Sequence, residues 1–197
     1  MLFRSAGAID AIVRAKEGTV YGYTSVYLEG DRVFGRSEEV NLGDVTADAN
    51  AWKARGALGL NDNLAVFSLK NGGGLRASVG SVTADGSKVP PAGVAGVKPA
   101  GAVSLLDVEN ALRFDNKLMV CEFTPTGLLA VLNYAAGLAA GNGGYPQVGN
   151  IRFSYDSRLP AGSRVRTASL VNEAGQVVAR VIEDGKPSAS APAVIPA

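Results

Sequence analysis

No histidine occurs among the 197 residues, and that absence narrows the chemistry of the chain more than any residue present. Histidine is the usual general base, the usual partner of a catalytic serine and the commonest ligand of zinc and its neighbours. Hydrolysis by those routes is excluded within this chain. Cys121 is the only cysteine, so no intrachain disulfide can form. Within Leu118-Met119-Val120-Cys121 it reads as a small buried hydrophobe, and one cysteine leaves the redox compartment open. No apolar run approaches the ~20 residues that cross a bilayer. Met1-Leu2-Phe3-Arg4 lacks the apolar core of a signal peptide. Lysine and arginine number 19 against 18 acidic residues, a formal charge of +1, so no basic field draws nucleic acid to the surface. Neither a nucleic acid nor a membrane is expected as a partner.

The length suits one domain with a substantial core. Ser5 to Lys16 carries Ala8, Ile9, Ile12 and Val13 at helical spacing, so residues 1–17 read as a linker or connector helix. The β-branched and aromatic stretch Gly18 to Leu28 reads as a strand. From Asn41 the apolar positions Leu42, Val45, Ala49 and Trp52 step by three and four. That predicts a helix capped by Asn41, with Glu39 as cap partner, ending near Gly56. Asp44 and Asp48 share a face of it and read as a solvated edge. Residues 84–102, with three prolines and four glycines, read as a surface insertion. Ser104 and Asp107 form a capping box for a helix through Leu112, and Thr124-Pro125 opens a helix stopped by Gly137. Strands are expected over Lys117–Phe123 and Ile151–Tyr155, then a hairpin of Arg164–Val171 with Gln176–Ile182. The Pro-, Ser- and Ala-rich residues 184–197 read as a flexible tail. Strands interspersed with helices, several joined by hairpins, predict an α+β fold.

The stretch most suggestive of function is Asn71-Gly72-Gly73-Gly74-Leu75-Arg76, which follows the apolar run Leu64 to Leu69. Three glycines end a strand where backbone must bend sharply or approach something closely. Arg76 adds a planar cation suited to phosphate or carboxylate. Composition alone allows either a binding turn or a flexible hairpin.

Four segments in order give it context. Arg36 to Asp44 is similar to R-x-x-E-x-N-L-G-N/D, and Asn71 to Arg76 to N-G-G-G-I/L-R. Leu112 to Asn116 is similar to L-P-F-G/D-N, with Arg113 where proline is usual. Gly144 to Asp156 is similar to a G-x-F/Y-P-Q-V segment followed by R-F-x-Y-D. Over residues 18–183 the chain therefore resembles the C-terminal, substrate-recognition domain of the bacterial 5'-nucleotidase and UDP-sugar hydrolase family.

That resemblance implies a four-layer α/β/β/α domain that binds a nucleotide or sugar nucleotide. It implies a separate N-terminal metallophosphatase domain that holds the divalent metals and performs hydrolysis. This chain would then hold no catalytic residue, metal or cofactor of its own. Arg36, Asn71, Gly73, Arg76, Phe114 and Asn116 are the implied substrate-binding residues: Arg76 and Arg36 for phosphate, Asn71 for base or ribose, Phe114 as one face of an aromatic clamp. Tyr145 is expected to pack beneath its loop. The family's second clamp aromatic, in a G-G-D-G-F/Y loop, does not occur before Ala197, so the chain reads as a truncated domain. A periplasmic or secreted setting is implied. The competing reading is a non-binding structural or interaction domain of a larger extracytoplasmic protein.

Overall fold

The computed structural model describes residues 2–60 and 66–197; Leu64 and Ala65 of the predicted apolar run lie outside them. Its elements run α1 (Leu2–Gly18), β1 (Val20–Tyr23), α2 (Asn41–Leu58), β2 (Ser68–Asn71), a 3₁₀ turn (Gly72–Gly74), β3 (Ser81–Val82), β4 (Lys88–Val89), β5 (Ala102–Ser104) and α3 (Leu105–Ala111). They continue with β6 (Glu122–Phe123), α4 (Pro125–Gly137), β7 (Pro146–Gly149), β8 (Ile151–Tyr155), β9 (Val165–Val171), β10 (Val177–Glu183), β11 (Lys186–Pro187) and β12 (Ile195–Pro196). The expected α+β class is what forms.

Among the described residues, the largest sheet is antiparallel with order β11-β10-β9-β8. α4 lays Leu128 and Leu132 against it, and with Phe67, Val165, Leu170, Val181 and Ile182 they make the main core. Local chemistry starts this helix: Thr124 Oγ1 accepts from the Gly127 N–H and Pro125 occupies the first turn. A smaller core of Val40, Leu42, Leu75, Val79 and Ala111 lies beneath the loops that matter for function. α3 opens with the predicted capping box, the Asp107 N–H donating to Ser104 Oγ and the Ser104 N–H to Asp107 Oδ2.

Several expectations are corrected. α2 has no side-chain cap; Val40 is its N-cap residue. Asn41 instead accepts from the Glu29 N–H (2.7 Å) and donates to Tyr27 O (2.9 Å), fastening the preceding loop. The helix passes Gly56 and stops at Gly59, which takes the left-handed φ of 64° that ends helices. Its buried face is Leu42, Gly43, Ala47, Ala51 and Ala54, while Val45 and Trp52 are exposed. Small residues let the helix axis approach β7 closely, and the bulky residues are left outside. In α1 the helix forms, yet Ile9 and Ile12 are exposed.

The strand expected over Lys117–Phe123 shrinks to Glu122–Phe123, and Cys121 is exposed, not buried. Residues 195–197 are no free tail. Ile195 is fully buried, β12 pairs with β6, and the Cys121 and Ala197 backbones exchange two hydrogen bonds of 2.9 Å. The 84–102 stretch is likewise anchored. Lys98 is buried, with its Nζ 2.5 Å from Glu17 Oε2 and 2.9 Å from Asp107 Oδ2, tying the insertion to both α1 and α3.

Candidate functional site

The glycine turn is built by three backbones brought into contact. β2 pairs with β7 so that Asn71 lies opposite Pro146, which brings the glycines beside the Gly143–Tyr145 loop. There the Gly72 N–H donates to Tyr145 O (2.7 Å) and the Gly73 N–H to Gly143 O (2.8 Å). The third backbone is that of Gly35: a Cβ on Gly72 would stand 1.7 Å from Gly35 O. The glycines are thus required for close packing of chain on chain.

Behind this junction lies a buried amide. Gln147, fully excluded from solvent, accepts from the Val40 N–H (3.0 Å) and donates to Gly35 O (3.1 Å) and Glu38 O (2.8 Å). It fixes the 35–40 segment that carries Arg36. On the other flank the Arg76 N–H donates to Ala111 O (2.9 Å), joining the turn to the end of α3. α3 in turn delivers Phe114. That ring is 55% exposed, so it is not a core residue, and the Arg76 guanidinium carbon lies 5.7 Å from its centroid.

Of the six sequence-predicted residues, Asn71, Phe114 and Asn116 line one cleft of about 450 Å³, with Arg76 against the Phe114 ring. Gly73 is inside the turn, its N–H already engaged by Gly143. Arg36 does not line the cleft; its guanidinium carbon stands 3.9 Å from where a Cβ on Gly143 would be, and its Nε is buried without a hydrogen-bond partner. Asn71 Nδ2 reaches Gly143 O at 3.4 Å. Sequence reasoning missed Asn50, Lys70, Lys117 and Met119, which also line the cleft. Tyr145 is half-buried beneath its loop, and burial, with Tyr155 beside it, pushes its phenol up.

The carboxylates are placed elsewhere. Burial, followed by the neighbouring Glu39 and Asp48, raises Asp44 to about 6. Asp107 feels burial, but the Ser104 N–H and Lys98 outweigh it and hold the carboxyl below its usual range. Among the described residues no group of three or more metal-ligating side chains is gathered. A second cleft of about 500 Å³ lies beside Trp52, Arg152 and Glu173 and contains none of the predicted residues.

Residues 20–182 match the family model of the 5'-nucleotidase C-terminal domain. The chain belongs to this family, and the fold anticipated from the four motifs is the family's. Similar proteins include the trifunctional nucleotide phosphoesterase YfkN of Bacillus subtilis (strain 168), 29% identical over 164 residues, 83% of this chain and 10% of that protein. The 5'-nucleotidase precursor of Thermus thermophilus superposes with a TM-score of 0.69 at 27% identity, covering 98% of this chain and 32% of that one. The NAD nucleotidase NadN of Haemophilus influenzae shares the fold, with a TM-score of 0.56 at 16% identity, over 97% of this chain and 30% of its own. The chain thus spans between a tenth and a third of these relatives. No helix of the described residues is long and apolar enough to cross a membrane.

Proposed function

We propose that this domain recognises a nucleotide or sugar nucleotide for a metal-dependent phosphoesterase of the 5'-nucleotidase and UDP-sugar hydrolase type. One observation carries the reading: an exposed aromatic ring backed by Arg76 walls a cleft lined by amides and lysines and by no carboxylate. The Phe114 face suits a nucleobase, a stacking contact worth about 1–3 kcal/mol. Asn71 and Asn116 both donate and accept, as base edges and ribose hydroxyls require. Arg76 faces the phosphate, and Arg36, behind the Gly143 loop, supplies a second cation at the rim. Gly73 serves by packing. Hydrolysis belongs to an N-terminal metallophosphatase domain with divalent metals, to which domain closure would deliver the held nucleotide, and the whole protein acts in the periplasm or outside the cell.

A second reading, a structural or interaction domain without ligand, is favoured by the exposed side chains Tyr21, Tyr23 and Trp52, which suit a protein partner. NMR-monitored titration with AMP, adenosine and UDP-glucose separates the two, because it registers millimolar binding. AMP is expected to bind, and Phe114→Ala and Arg76→Ala each to weaken it by about tenfold, within the range of one lost stack or one charge-assisted contact. Binding that both variants leave unchanged would remove this cleft from consideration.

A further inference from the structure

We infer that Lys70 is an anion-binding residue of this cleft and makes it select phosphorylated over unphosphorylated nucleosides. The inference rests on the nucleotide reading above and adds a contact that none of the four motifs contains.

Lys70 is the penultimate residue of β2 and lines the cleft with Asn71, Phe114 and Asn116. Its stem lies along the glycine turn: a Cβ on Gly74 would stand 3.6 Å from Lys70 Cε. Among the described residues, three of the other six lysines have carboxylate partners. Lys16 meets Glu109, Lys88 meets Glu29, and Lys98 meets both Glu17 and Asp107. Lys70, half-buried, has neither an ion pair nor a hydrogen-bond partner among the described residues. Burial with no opposing charge lowers its ammonium from the usual lysine range. Removing a cation from water without a partner costs free energy, and an arriving anion relieves that cost.

The surroundings select the kind of anion. A second lysine, Lys117, lines the same cleft and no aspartate or glutamate does, so the field favours a ligand of more than one negative charge. The Phe114 ring beside these amines requires that the ligand also present a flat face. A nucleoside phosphate has both. An unphosphorylated nucleoside has the ring alone and leaves Lys70 as it was.

The test compares AMP, adenosine and inorganic phosphate on the parent chain, Lys70→Met and Lys70→Arg. Methionine keeps the length and apolar stem of the side chain, so the fold is retained, and far-UV circular dichroism checks this. Lys70→Met is expected to weaken AMP by about tenfold, the effect of one charged hydrogen bond, and to leave adenosine unchanged. Lys70→Arg should keep most of the AMP affinity. As a second readout, AMP and phosphate should protect the Lys70 amine from acetylation, followed by mass spectrometry, and adenosine should not. If AMP and adenosine weaken together, or AMP binds Lys70→Met as it binds the parent, the inference is overturned while the nucleotide reading stands. If the parent binds neither AMP nor adenosine, the nucleotide reading fails and this inference fails with it.

Discussion

Gly72→Ala is expected to leave no stably folded domain. The added Cβ would lie 1.7 Å from Gly35 O, 2.8 Å from Gly35 C and 3.2 Å from Tyr145 O. All three are backbone atoms, so no rotamer change relieves the overlap. Retreat is blocked as well, since the Gly72 N–H is bonded to Tyr145 O at 2.7 Å and its strand is registered against β7. Separating the segments would break those bonds and open the smaller core beneath Leu75. The cost should exceed about 4 kcal/mol, a large part of the ~5–15 kcal/mol that holds a domain folded. Urea unfolding followed by circular dichroism measures it. Gly74→Ala is the control: its Cβ would meet Asn71 Oδ1 at 3.5 Å and Lys70 Cε at 3.6 Å, ordinary contacts, and its midpoint should barely move. A Gly72→Ala protein as stable as that control would show that the three backbones do not meet as described.

Gln147→Leu should cost at least about 3 kcal/mol although the two side chains are similar in size, because buried groups left unpaired cost about 1–3 kcal/mol each. The groups orphaned are the Val40 N–H, Gly35 O and Glu38 O. Gly43→Ala should act through the same contact, since its Cβ would fall 2.0 Å from Gln147 Oε1. The loss should also reach the site, because the freed 35–40 segment carries Arg36 and supplies the Gly35 carbonyl packed on Gly72. Hydrogen exchange at the Val40 amide is the specific readout. It should accelerate in Gln147→Leu by far more than amides of β9, and uniform acceleration would assign Gln147 to general core packing.

The parts of this fold legible in the sequence are those whose cause is local. Ser104 with Asp107 and Thr124 with Pro125 start helices through bonds between near neighbours, and the β9–β10 hairpin follows from two β-rich runs around a turn. What could not be read depends on distant partners. Val45 and Trp52 step along α2 as a buried stripe would, yet the helix buries its alanines and Gly43, because Gln147 and β7 leave room only for small residues. Cys121 and Ile195 exchanged their expected environments for the same reason: the residue that fills the space beside α4 comes from the far end of the chain, where composition suggested a loose tail.

The site divides the same way. Asn71, Phe114 and Asn116 were identifiable from motifs and do converge. Gly73 and Arg36 were identifiable as motif members, but only the three-dimensional arrangement shows one engaged by Gly143 and the other set behind it. Lys70 has no pattern that distinguishes it from any lysine at a strand end; its half-burial and lack of a partner emerge only in the fold.

Everything proposed for this domain depends on nucleotide binding between the glycine turn and Phe114. An amide chemical-shift map with AMP tests it most directly. The largest perturbations are expected on residues 70–76 and 114–119, with residues around Trp52 and Arg152 unmoved. Perturbations centred on the Trp52 cleft, or none at saturating AMP, would contradict it.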